Sequence, residues 1–339
     1  ISNKNEVCIM KCRDKFLFRT VAETMFELEK GTYANSTIKA WRSKLKRIVT
    51  FFGELDIRDI VRSGILRYLH AHNDLTNKTL NEDLTLIRKV FTFAVGDRLI
   101  TQSPVDGIHN LQNAPISCNP FTLNDITRLT HQAAACSSVK NGVLLACHTG
   151  LRKSEWLALV VDDYDPVKRE LKVERACVVN HFKRPKTTGS KRRIQLSKTA
   201  QKIIENQLSL IFGLAAQEIH ITESDQKTRT KLTAKPLFPN LDTGKFYQKD
   251  KAIDRTFKNW LVTANVAHRG ASQARHTFAS QAILSGANLY WIRSQLGHNT
   301  LDMLYKHYSK WIEEDAKDYP NLIDLHFQKA ANSVDKPIL

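Results

Sequence analysis

The stretch LGHNTLDMLYKHYSKW, residues 296–311, decides how the chain is read. From Leu301 onward, spacings of three and four place Leu301, Leu304, Tyr305, Tyr308 and Trp311 on one face of a helix. Tyr308 sits near the centre of that stripe and Tyr305 at its edge. Two readings compete. Apolar stripes of this kind are mostly core, so both tyrosines are expected to pack. A nucleophile that must reach a cleft inside its own domain points inward as well. Periodicity does not separate these readings, so the rest of the chain must.

Upstream, residues 36–55 (STIKAWRSKLKRIVTFFGEL) predict an amphipathic helix with Ile38, Trp41, Leu45, Ile48 and Phe52 on one face. Ser36 is placed to cap it and Gly53 to end it. The basic residues Lys39, Arg42, Lys46 and Arg47 fall mostly away from the apolar face. A second helix is expected over 77–95, striped by Leu80, Leu84, Ile87 and Phe91, and a third near 18–30. Residues 14–108 thus read as a small all-helical domain. The segment 109–118 opens a stretch rich in Asn and Pro with no periodicity, the expected linker. A second domain follows over 119–311. Its helices start at Thr122, a plausible cap, and at 141–160, with a break near Gly150. Strands are expected at 171–179 (LKVERACVV) and 192–197 (RRIQLS). Residues 220–250 read as an irregular polar insertion. The expected class is mainly α with a small β-sheet.

The 339 residues carry 51 Lys and Arg against 34 Asp and Glu, a net charge of +17. A chain this basic is expected to meet a polyanion, with nucleic acid ahead of an anionic membrane surface. No apolar run reaches the roughly 20 residues of a spanning helix. Six scattered cysteines suit reduced thiols in a cytoplasmic protein. Cys8 and Cys12 lack a second pair at zinc spacing. No glycine-rich phosphate loop is present, and no acidic cluster suited to magnesium. No metal or cofactor is therefore expected.

Phosphoryl transfer without a metal makes stated demands. Two nonbridging oxygens need neutralising, and planar, permanently charged guanidinium groups do this well. A nucleophile and a proton donor for the leaving oxygen complete the set. Arg152, in HTGLRKSEWLAL, follows a Gly-Leu turn into a helix, with Glu155 three residues on. Arg275, in SQARHTFASQAILSGA, opens an apolar helix that Gly286 ends. Either arginine alone reads as a surface residue or a structural ion pair.

Together, HTGLRKSE, RHTFAS and LGHNTLDMLYKHY resemble the successive boxes of the tyrosine recombinase family, in particular phage-type integrases. The resemblance spans roughly residues 14–311, with the boxes in order. It implies an all-helical N-terminal DNA-binding domain joined to an α+β catalytic domain. By position it implies that Arg152 and Arg275 grip the scissile phosphate and that His298 hydrogen-bonds it. Lys186, in RPKTTGSKRRIQL, matches the lysine that protonates the leaving 5′ oxygen. Lys183, Lys191 and the Arg192–Arg193 pair lie close by, and Lys183 and Arg192 are expected to contact DNA with Lys39, Arg42, Lys46 and Arg47. The family's tyrosine follows the box histidine by nine or ten residues. Tyr308 is ten after His298 and Tyr305 seven, so the resemblance assigns the nucleophile to Tyr308. The second box often reads His-x-x-Arg. Here Ser272 holds the first position, and serine is no acid or base near neutral pH. His276 and His298 remain as candidates for the base.

The resemblance implies a site-specific recombinase of a phage or other mobile element. It would cut through a 3′-phosphotyrosine and work as a homotetramer on two double-stranded attachment sites in a bacterial host's cytoplasm. DNA-bending proteins and an excisionase are candidate accessories. The two domains are expected to close around duplex DNA. Residues 1–13 read as the remnant of an N-terminal arm region, and the tail 312–339 as a segment exchanged between protomers. A topoisomerase of the same chemistry and a non-catalytic DNA-binding protein are the rivals. Ser272 is the feature that favours the latter.

Overall fold

The apolar stripes predicted from sequence do become helices. In the computed structural model, residues 14–33, 35–114, 118–178, 181–185, 190–225, 227–247, 250–314, 321 and 324 are described. The chain divides into two compact units, Ile1–Pro115 and Ile116–Leu339. In the first, α1 (Phe18–Glu29), α2 (Asn35–Phe52), α3 (Arg62–Ala71) and α4 (Asn77–Gly96) surround one core. Leu45, Ile48 and Phe52 of α2 are buried, as are Leu80, Leu84, Ile87 and Phe91 of α4. Thr76 caps α4 by accepting from the Thr79 N–H. Ser36 does not cap α2, because that helix already includes Asn35. The described part of the linker is tied down: Asn81 donates to the Leu111 carbonyl and accepts from the Leu111 N–H.

One residue of this unit departs from the charge pattern. Arg47 does not project freely with Lys39, Arg42 and Lys46. Its guanidinium grips the Asp83 carboxylate through Nε at 3.0 Å and Nη2 at 2.7 Å. The Tyr68 hydroxyl donates to the same carboxylate at 2.8 Å. Asp83 has 0% exposure, so three helices meet on one buried charge.

The second unit opens with α5 (Leu123–His131), capped by Thr122 with Asp125 in a reciprocal capping box. Then come α6 (Ser137–Thr149) and the short α7 (Lys153–Trp156), with Gly150 between them in the left-handed region at φ 72°. The strand expected over 171–179 is two strands. β1 (Tyr164–Asp165), β2 (Glu170–Val173) and β5 (Arg192–Gln195) form one antiparallel sheet in the order β1-β2-β5. β3 (Ala176–Val178) and β4 (His181–Lys183) belong to a second sheet, β3-β4-β6-β7. The chain leaves one sheet for the other at Arg175, which is buried on Asp163.

The region 220–250 is not simply irregular. β6 (Gln217–Thr222) and β7 (Arg229–Ala234) pair antiparallel over six residues each, and β6 runs parallel to β4. Beyond α8 (Lys198–Leu210) and α9 (Asp250–Thr263), three helices build the site: α10 (Gln273–Leu284), α11 (Leu289–Leu296) and α12 (Asp302–Glu314). They bury a small core of their own, with Phe278, Ala279, Ile283, Ile292, Leu296, Leu304 and Tyr308. No helix among the described residues is long and apolar enough to cross a membrane.

Removing the shared carboxylate of the first unit would orphan Arg47 and Tyr68 together. Breaking a buried pair costs about 3–5 kcal/mol. Asp83→Ala is therefore expected to destabilise by about 3 kcal/mol in urea unfolding, whereas exposed Lys46→Ala should stay within about 0.5 kcal/mol.

Candidate active site

Arg275 enters the second unit's interior from the first turn of α10. Its Nη1 donates to the Gly150 carbonyl at 2.7 Å and its Nη2 to the Leu296 carbonyl at 2.8 Å. Both acceptors lie at helix C-termini, where the backbone dipole favours a cation. No carboxylate among the described residues contacts it directly. Burial, with Arg152 nearby, lowers its pKa to about 9. Gly150 is needed for this arrangement twice over. Its φ of 72° favours glycine, and a Cβ there would sit 2.6 Å from Leu296 and 2.7 Å from Phe278.

Arg152 is the residue before α7. Glu155, one turn on and 4% exposed, accepts from its backbone N–H at 2.9 Å and from its guanidinium at 2.7 Å. The same carboxylate receives both terminal nitrogens of Arg192, at 3.1 and 2.8 Å. Burial alone would raise the Glu155 pKa. The ion pair with Arg192, and then Arg152, overcomes it and holds the group at about 2. Arg192, expected to contact DNA, is turned inward in the structure. Its side chain is only 5% exposed, and its Nε bonds the Gln295 carbonyl at 2.6 Å, so it braces the site from within. Nothing in the sequence separates it from exposed Arg193, whose guanidinium meets Glu170.

Arg152, Arg275, His276, His298, His307 and Tyr308 line one cavity of about 460 Å³, and Ser272 lies on its wall. Lys186 lies outside the described residues, between β4 and β5 in the chain. Tyr308 is 1% exposed and Tyr305 48%. The stripe therefore has the asymmetry expected of it, although Tyr305 lies further out than an edge packing residue should. The Tyr308 hydroxyl is 2.6 Å from His276 Nδ1. Burial raises the Tyr308 pKa, so the phenol is held protonated. His298 Nδ1 is buried without a hydrogen-bond partner among the described residues. Burial, then Arg275 and Arg152, lower the His298 pKa to about 3. Burial, then His307 and Arg275, lower that of His276 to about 4.

These shifts give the unit a pH dependence. Both histidines start from an ordinary pKa of 6.5, and the folded state disfavours their protonation. As pH falls below 6.5 the unfolded chain takes up protons that the native site refuses, so stability declines toward pH 3 to 4. Glu155, depressed from 4.5 to about 2, adds a further loss below 4.5. The melting temperature is expected to fall between pH 6.5 and 4.5, and His298→Gln should flatten that slope while leaving the decline below pH 4.5.

Comparison with known proteins agrees with this geometry. Residues 120–314 match the phage integrase family, and residues 18–110 match the phage integrase central domain. Prophage integrase IntR of Escherichia coli (strain K12) is 26% identical, covering 88% of this chain and 77% of that protein. The Tn1549 transposon integrase in complex with transposon right end DNA superposes with a TM-score of 0.70 at 18% identity, covering 85% of this chain and 94% of that one. A lambda integrase tetramer bound to a Holliday junction gives 0.67 at 12% identity, over 89% and 79%. The helical unit, the mixed catalytic unit and the boxes thus have one explanation: the chain belongs to the phage integrase family of tyrosine recombinases, enzymes of site-specific DNA strand exchange.

Proposed function

We propose that Tyr308 attacks the scissile phosphate of a DNA attachment site and forms a 3′-phosphotyrosine. The observation that carries this reading is the convergence of Arg152, Arg275, His298 and Tyr308 on one cavity. Arg275 is desolvated and bonded to carbonyls rather than a carboxylate, which suits an oxyanion that has yet to arrive. Arg152 keeps part of its guanidinium exposed beside it, with 41% of its side chain accessible. His298 offers an imidazole with an unused nitrogen among the described residues. Lys186 is the proposed proton donor to the 5′ oxygen. The ester stores the energy of the broken bond, and the 5′ hydroxyl of a second strand recovers it.

The substrate is double-stranded DNA, and by likeness to the lambda assembly the working form is a homotetramer on two sites. Lys39, Arg42 and Lys46, all exposed on α2, serve as phosphate contacts, and half-buried Lys183 is a further one. Arg47 and Arg192 are assigned to bracing instead.

The target sequence can be found by the reaction itself. A library of nicked duplexes with random cores, incubated with the protein and denatured, should yield covalently captured DNA whose sequence defines the core. On that core, Tyr308→Phe should give no adduct and Tyr305→Phe should retain it. The reverse pattern would falsify the assignment. Binding to the same duplex should weaken steeply with salt. Replacing Lys39, Arg42 and Lys46 by Ala should reduce the log–log salt slope by about 0.9 for each phosphate left unneutralised; an unchanged slope places the phosphate-binding surface elsewhere.

A further inference from the structure

Ser272 and His276 are four residues apart, Ser272 just before α10 and His276 in its first turn, and both line the cavity. Attack by a phenol requires an acceptor for its proton, and a serine hydroxyl is not one. The imidazole absent from position 272 stands at 276. Its Nδ1 lies 2.6 Å from the Tyr308 hydroxyl, and Cys118 Sγ approaches the same nitrogen at 3.3 Å. Two hydrogen-bearing groups converging on one ring nitrogen suit a lone pair there, which leaves the ring proton on Nε2. The ring is held from several sides. The Asn119 N–H donates to Gln273 Oε1 at 3.0 Å and the Phe121 N–H to Thr277 Oγ1 at 2.8 Å, fixing the segment that carries Cys118 onto α10. From α12, Tyr308 and His307 pack against the same ring.

We propose that His276 is the catalytic base for Tyr308, its Nδ1 lone pair taking the phenolic proton as the oxygen attacks phosphorus. This rests on the phosphotyrosine reading above. The O–H bond of Tyr308 breaks and an N–H bond forms on His276. The Tyr308 oxygen bonds to phosphorus, the bond from phosphorus to the 5′ oxygen breaks, and that oxygen takes a proton from Lys186. An imidazolium and a neutral amine result, and religation returns both protons. Among the described residues, the ionisable groups around the ring are Cys118, Arg275, His307 and Tyr308, with Arg152 and His298 elsewhere on the cavity wall. Burial, His307 and Arg275 keep the His276 ring neutral in the resting site.

His276→Asn separates base from tether, because its amide can still accept a hydrogen bond near the Nδ1 position but cannot take up a proton. On the captured core in a nicked duplex, the wild type must first form the adduct; if it does not, the phosphotyrosine reading fails before this one is reached. The Asn variant is expected to form adduct about 10²–10⁴-fold more slowly, as loss of a general base does, with DNA affinity unchanged. Its residual rate should rise more steeply with pH than the wild type's as hydroxide replaces the base. In a second arm, His276→Ala should regain rate with added imidazole. An Asn variant within about threefold of wild type reduces His276 to a tether, against the roughly 10²–10⁴-fold range of a working base, and a folded Ala variant deaf to imidazole also overturns the proposal.

Discussion

The site depends on a guanidinium that the fold buries with no counter-ion bonded to it among the described residues. Arg275 is satisfied by two carbonyls, which supply dipole but no charge. Its cationic form is correspondingly weakened, and the relief available to it is an anion entering the cavity. Desolvated charge of this kind is held in place by folding, so little reorganisation is left for the moment of reaction. Glu155 sets the limit on the other side. As a carboxylate shared by Arg152 and Arg192, it anchors both arginines without approaching Arg275 closely enough to neutralise it.

The apolar chemistry matters as much. α10, α11 and α12 form a small core in which the Tyr308 ring is a packing member, so its position is set by Phe278, Leu296 and Leu304 rather than by a flexible loop. Core residue and proposed nucleophile are one residue here. The two readings of the stripe are not exclusive, and for this reason periodicity cannot choose between them. Tyr305, one turn earlier and exposed, shows what the same side chain does without that packing.

Much of this is legible in the residues. Stripes such as Leu80, Leu84, Ile87 and Phe91 encode a helix directly, and Thr122 with Asp125 encodes its start. The order and spacing of distant boxes single out the arginines and Tyr308. What is not legible is depth. Arg47 and Arg192 look like their exposed neighbours in any count of charge, yet each is spent on a buried carboxylate. Helix α3 is short, and its buried residues, Ile65 and Tyr68, are too few to mark a stripe. β7 reads as irregular chain because it is mostly polar and exposed, and β6 because its apolar alternation is only two residues long, Ile219 and Ile221. A single strand over 171–179 overlooks the inward turn of Arg175 toward Asp163, a contact that no local pattern announces. The environment of His276 is equally hidden, since it depends on a tyrosine 32 residues further along the chain.

Gly150 and Gly297 close the helices whose ends hold Arg275, each in the left-handed region. The atoms that receive the guanidinium are main-chain oxygens, and main-chain oxygens are not spelled by any codon. A lineage can replace Leu296 with another residue and still present the same acceptor. It cannot so freely replace Gly150, whose missing side chain makes room for Leu296 and Phe278. The heritable weak points around this arginine are therefore positions that never touch it with a side chain, and drift in the surrounding letters leaves its hold intact.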